Sequence, residues 1–314
     1  MGGGVPLEQI IAWFSKICVA IYAFISGYGL CKSANKQEYK NFFIRLQNDY
    51  RYILNRIFVF FPKVCLTFIL FATIGLLKGK ISFNSLMDFL LCFFGIDNKI
   101  NGTWWYVSTY YGLLLQFPFI NAFFSRYEKN NFKFKSFAAI GWLLTLVILF
   151  SYISKISTII FLEGYLVAKY SVFDKINQCC RKKVILGVIV LLISIAIRCI
   201  FSKYASYNRI DLVIIVFFIY GICQVVDKYP LKFIILSKLG NYSVYIWLSH
   251  AFYCLYYFQD IVTISRFSTI IFIKTFILSI TTAIILSKVE KILKKFFDKS
   301  FKYISKILKK CYNV

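Results

Sequence analysis

The chain has 314 residues, of which 60% are hydrophobic and 20% aromatic, with four prolines, one histidine and a formal net charge of +25. That apolar fraction exceeds what a soluble core needs, and the 38 Lys and Arg fall between apolar runs rather than in one patch, which argues against a soluble enzyme and against a nucleic-acid partner. Ten cysteines without a CxxC or Cys/His spacing make a metal site unexpected, and no permanently bound cofactor is implied.

Runs of about 17 to 22 apolar residues, bounded by basic ones, are long enough to cross roughly 30 Å of hydrocarbon. They predict an all-α, polytopic transmembrane bundle of about nine spans, at 10–30, 57–77, 104–124, 136–154, 156–170, 184–201, 210–226, 241–258 and 267–287. The fifth is short and interrupted by Glu163 and Gly164. Segment 83–95 is shorter still and reads as a re-entrant or interfacial helix. A membrane domain thus covers residues 1–287, followed by a basic amphipathic tail over 288–314.

Orientation follows the positive charge. Connections 31–56, 125–135, 169–183 and 227–238, with segment 288–310, hold 27 of the 38 Lys and Arg and are expected on the cytoplasmic side. The first span then runs from outside to inside, with Met1 to Glu8 outside. Anionic lipid is the expected partner of the basic face. In the tail, Val289, Ile292, Leu293, Phe296 and Phe297 recur at helical spacing opposite lysines, which predicts a helix lying on the inner leaflet. Segment 39–57 reads the same way, with Phe42, Phe43, Leu46, Tyr50, Ile53, Leu54 and Ile57 on an apolar side and Lys40, Arg45 and Arg51 around it.

Polar residues within spans are costly in hydrocarbon and are site candidates on that ground. In "ISGYGL", Ser26 and Tyr28 can donate to a buried partner, while the glycines also suit a packing notch. In "RYILNRIFVFFPK", Arg51 and Arg56 suit an anchor for phosphate as well as ordinary charge anchoring. In "WWYVSTYYGLLLQFPFINAFF", Trp104, Trp105 and Tyr106 fit an interfacial belt. Gln116 and Pro118, which frees the carbonyl of Leu114, imply a polar interior face. In "LSKLGNYSVYIWLSH", Asn241 and Ser243 are expected to cap a span that carries Tyr245, Trp247, Ser249 and His250, whose imidazole could move a hydroxyl proton. Glu163 reads either as a proton-coupling carboxylate or as a partner for Arg198.

Taken in order, "ICVAIYAFISGYGL", "NRIFVFFPK", "GTWWYVSTYYGLLLQFP", "FLEGYLVAK" and "LGNYSVYIWLSH" resemble the acyltransferase type 3 family of integral membrane proteins, from about Ile10 to Ser287. The resemblance implies a ten-helix protein that moves an acyl group, commonly acetyl, from a cytoplasmic thioester such as acetyl-CoA to hydroxyls of a cell-surface or exported glycan. Arg56 then matches the family's donor-handling position, where the usual arginine three residues earlier is Ile53 and Arg51 is the nearest substitute. Ser26, Gly27 and Tyr28 match an interior-lining stretch, Trp104 and Tyr106 the following aromatic segment, and Ser243 and His250 a late-helix pattern. The resemblance starts at the family's second helix, so the first, which carries its principal histidine, is expected to be missing and the chain to be weakly active or inactive. His250 is the remaining base candidate. A transporter or glycan-export component is the competing class; no pair of interrupted helices recurs in the two halves. The expected location is a bacterial plasma membrane, with the C-terminus cytoplasmic.

Overall fold

The computed structural model describes residues 7–34, 42–124, 132–148, 154–201, 207–265 and 267–312. They are mainly helical, and none of the described residues forms a strand. In chain order the helices are α1 (Leu7–Ser15), α2 (Ile17–Ala34), α3 (Phe42–Leu77), α4 (Leu86–Phe93), α5 (Trp105–Phe123), α6 (Phe132–Ile148), α7 (Lys155–Lys169) and α8 (Val172–Cys179). They continue as α9 (Lys183–Phe201), α10 (Tyr207–Lys228), α11 (Ile234–Gly240), α12 (Ser243–Ala251), α13 (Gln259–Thr263) and α14 (Ser268–Tyr312). Short 3-10 turns precede α5 and α11, and a π-turn, Phe252–Tyr256, follows α12.

Each of the nine expected spans overlaps a helix, the first being divided between α1 and α2 and the eighth running past α12 into the π-turn; residues 149–153 of the fourth lie outside the described residues. Five helical stretches are long and apolar enough to cross a membrane: Glu8–Ala34, Phe43–Leu77, Lys183–Phe201, Arg209–Lys228 and Ser268–Phe296. A sixth arises if α7 and α8, bent by 56° at their junction, count as one broken span. The rest fall short for physical reasons. The α5 helix is diluted by Ser, Thr, Tyr, Gln and Asn, the described part of α6 is short, and α12 gives way to the π-turn after nine residues.

The chain divides into two compact units, Met1–Arg56 with Tyr106–Ile234, and Ile57–Trp105 with Ile235–Val314. In the first, α2 packs along α7 and α9 along α10. Small residues permit the first pairing: a Cβ on Gly27 would collide with the Phe161 carbonyl oxygen, and one on Gly164 with that of Phe24. Gly164 therefore does not interrupt α7; it lets the backbones meet. Beside this crossing, the rings of Phe24, Tyr28 and Phe173 lie within 6.4 Å of one another, centre to centre.

In the second unit, α12 lies against α14, with Tyr245, Ala283 and Leu286 buried between them. Phe71 stacks on Phe252 at 4.1 Å, and Trp104 meets the same ring edge-on. The stretch expected to be re-entrant or interfacial forms α4, capped by Ser85, whose hydroxyl accepts from the Asp88 N–H. Lys99 reaches Asp88 at 2.6 Å. The hydrogen bond from Lys99, with another from the Asn84 N–H, holds the Asp88 carboxyl below its usual range, and the same bond holds Lys99 above its own.

Candidate functional site

Segment 39–57, expected to lie on the inner leaflet, forms the first half of α3, and its buried face mixes Arg45 and Asp49 with Ile53. Residue 40 lies outside the described residues. Arg45, Asp49 and Ile53 are 9%, 6% and 0% exposed, whereas Phe43 and Leu54 are 69% and 49% exposed. The signal is the spacing of Arg45, Asp49, Tyr52 and Arg56, which recur at steps of four, three and four and therefore share one helix face. Arg51 stands about 140° around the helix from Arg56 and does not join that face.

Arg56 is exposed and braced within its own helix. Its Nε and Nη2 donate to the Tyr52 hydroxyl at 3.0 and 2.6 Å, which leaves three of its five N–H donors for another acceptor. Tyr110 of α5 lies within its electrostatic reach. One turn back, Asp49 Oδ2 accepts from Asn121 Nδ2 at 2.8 Å, and Asn121 Oδ1 accepts from the Tyr165 hydroxyl at 3.0 Å. A polar chain thus ties α3 to α5 and α7 through buried groups. Sequence reading missed Asn121 and Tyr165 because their partners lie on other helices, and missed Asp49 although its spacing with Arg45, Tyr52 and Arg56 was there to be read.

The other expected residues of this unit have mainly structural partners. Ser26 donates to its own helix at the Tyr22 carbonyl, 2.7 Å away, and Tyr28 is part of the aromatic stack. Tyr106 is buried, with its ring 6.4 Å from that of Tyr22. Gln116 is fully buried; its Nε2 donates to the Gly112 carbonyl at 3.2 Å, and its Oε1 accepts from Trp142 Nε1 at 3.0 Å, so it is a strut between α5 and α6. Glu163 is half-buried on α7. It does not pair with Arg198, whose carboxylate partner is Asp211 at 3.1 Å across the α9–α10 hairpin.

In the second unit, Trp104 corrects the belt reading: it is fully buried, while Trp105 is 40% exposed. Its indole Nε1 donates to the Leu248 carbonyl at 3.0 Å, and Asn101 reaches the same oxygen. The π-turn after α12 explains why that carbonyl can accept side-chain donors, because it disrupts the regular ladder. Nearby, Gly102 N–H donates to the Tyr256 hydroxyl at 2.8 Å. Ser243 is not the cap of α12; that position is Tyr242, and the Ser243 hydroxyl donates back to the Gly240 carbonyl at 2.8 Å.

His250, half-buried, lines a cavity of about 530 Å³ with Cys254, Ser268, Ile271, Phe272 and Thr275 among its walls. Its Nδ1 lies 2.6 Å from the Trp247 carbonyl. A carbonyl only accepts, so Nδ1 carries the proton and Nε2 is left as the acceptor of a neutral ring. Five residues earlier on α12, the Tyr245 hydroxyl donates to Glu290 Oε2 at 2.9 Å, and Lys63 reaches the same carboxylate at 2.8 Å.

Asp88, Cys92 and Asp97 place one potential ligand atom each within 4.8 Å of one another. Lys99 already neutralises Asp88, and burial, reinforced by the two carboxylates, pushes the Cys92 thiol up to about 11. The trio therefore offers a paired carboxylate and a neutral thiol, a poor donor set for a cation. The nine described cysteines are all free.

The chain matches a family model described as an acyltransferase domain over residues 3–288. Comparison with curated proteins and with solved structures gives no match.

Proposed function

Because this chain belongs to the acyltransferase domain family and is thus a membrane acyltransferase, we propose that it carries an acyl group, acetyl first among them, from cytoplasmic acyl-CoA to hydroxyls of a cell-surface or exported glycan. The observation that carries the donor assignment is Arg56. It is an exposed guanidinium, braced by Tyr52, with N–H donors still available on a helix that goes on to form a membrane span. A planar fork of that kind suits phosphate oxygens, and acyl-CoA brings several. The distribution of Lys and Arg supports a cytoplasmic position for this end of α3 and for the C-terminus, and a bacterial plasma membrane is the location that goes with this proposal.

In the reaction, a base removes the proton of the glycan hydroxyl as its oxygen attacks the thioester carbonyl. The tetrahedral intermediate collapses with cleavage of the C–S bond, and the leaving thiolate takes up a proton. His250 is the residue we assign as base. Its Nε2 is an acceptor, and the bond from Nδ1 to the Trp247 carbonyl fixes the tautomer that leaves it so.

The test is transfer of label from radiolabelled acetyl-CoA to glycan in membranes expressing the chain. Arg56→Ala is expected to lower transfer at limiting donor about tenfold or more, with recovery at high donor. His250→Gln is expected to lower kcat by about a hundredfold or more at any donor concentration. Absence of labelled glycan from membranes where the chain is folded and abundant, both alone and co-expressed with the family's first helix, would reject this assignment.

A further inference from the structure

The donor anchor has a direction to keep, and its own contacts do not supply one. Arg56 is braced by Tyr52, a residue of the same helix, so both turn together if α3 turns about its axis. Farther along α3, Lys63 and Phe71 have partners on other elements; the hold nearest Arg56 on its N-terminal side is seven residues back, about 10 Å along the helix. There Asp49 is held by Asn121 of α5, which is held in turn by Tyr165 of α7.

The chemistry of this chain allows one arrangement. An ionised carboxylate only accepts, so Asn121 must present its amide N–H to Asp49. Its carbonyl oxygen is then turned toward Tyr165, whose hydroxyl donates. Asp49 and Asn121 are 6% and 7% exposed and Tyr165 is fully buried, so water is a poor substitute for any of the three. The α7 helix is itself seated on α2 by the Gly27 and Gly164 contacts, which gives the chain a firm end.

We propose that Asp49 is a positioning residue: through Asn121 and Tyr165 it sets the rotation of α3 and thereby the face on which Arg56 meets the phosphates of the acyl donor. The proposal rests on the donor role assigned to Arg56 above. It separates Asp49 from a residue that merely holds the bundle together, because its loss must act on donor recognition before it acts on turnover.

Two readouts test it in the full-length chain. The first is steady-state kinetics: Asp49→Ala is expected to raise the donor KM about tenfold with kcat within about twofold. The exchanged pair Asp49→Asn with Asn121→Asp keeps an amide N–H facing a carboxylate and an acceptor oxygen facing the Tyr165 hydroxyl. It is expected to restore KM to within about threefold of the original. The second readout needs no donor. Arg56→Cys is labelled with a water-soluble maleimide and quantified on the peptide that contains position 56; adding Asp49→Ala is expected to change that rate, and the exchanged pair to return it. Should Asp49→Ala fail to fold, Tyr165→Phe removes a single hydroxyl and is expected to give the same pattern at about threefold in KM.

Unchanged KM and unchanged labelling in a folded Asp49 variant would overturn the proposal, as would a lower kcat and melting temperature with KM intact. If Arg56→Ala leaves the donor KM unaltered while Asp49→Ala still shifts labelling, the donor role of Arg56 fails, whereas the hold of Asp49 on α3 stands.

Discussion

Lys63 and Glu290 are opposite charges held at 2.8 Å, with 19% and 10% of their side chains exposed, and Tyr245 adds a hydrogen bond to the same carboxylate. Removing one member leaves the other desolvated, so Lys63→Met is expected to lower unfolding stability by about 1–3 kcal/mol. Lys63→Met with Glu290→Met should lose less than the single change, measured by thermal unfolding in detergent. The Asp88–Lys99 pair makes a pH prediction. Asp88 is held below its ordinary 3.8, so its contribution is complete above that value and disappears as pH falls through the lower folded value. Lys99 is held above its ordinary 10.5, so its share is lost only as pH rises beyond that. Hydrogen exchange across residues 84–101 should accordingly be flat from pH 5 to 9, after correction for intrinsic rates, and Lys99→Met should lose protection within that range. Single residues were the least legible scale in the sequence. His250 and Arg56 announce themselves by type, but the partner of Arg198 is Asp211 rather than Glu163, and Asp49 acquires its meaning only once Asn121 and Tyr165 are brought beside it.

At the scale of the element, apolar run length located every helix expected to span, because hydrocarbon imposes the same requirement on each. It failed where the register of a helix mattered. On α3 the side expected to be apolar is divided, with Ile53 buried beside Arg45 and Asp49 while Phe43 and Leu54 face outward. The α2–α7 pair was legible as small residues and not as a pair. Gly27→Leu is expected to disrupt that crossing, since the Phe161 carbonyl is backbone and cannot move aside as a side-chain end could. Gly29→Leu, where a Cβ meets nothing, should be tolerated, and the folded fraction by size-exclusion chromatography in detergent compares the two.

For the molecule as a whole, composition and the spread of Lys and Arg carry most of what can be read, since solvent and orientation are collective properties. Cysteines introduced at Lys228 and Lys309 are expected to react with an impermeant maleimide in inverted vesicles and not in intact cells. One at Lys78 should show the reverse, with labelling again assigned by peptide against the native thiols. The tail from residue 288 reads in the sequence as a separate basic segment, because composition changes there from apolar to lysine-rich, whereas the helix runs through that change without a break. The α14 helix runs from Ser268 to Tyr312 without a Gly or Pro, roughly 68 Å of continuous helix, more than twice the thickness of the hydrocarbon layer. A rod of that length has no built-in joint at which its basic end could turn independently. Whatever tugs on those lysines, whether an anionic headgroup or a change in ionic strength, is therefore applied as a lever at Glu290 and, through Tyr245, to the helix that carries His250.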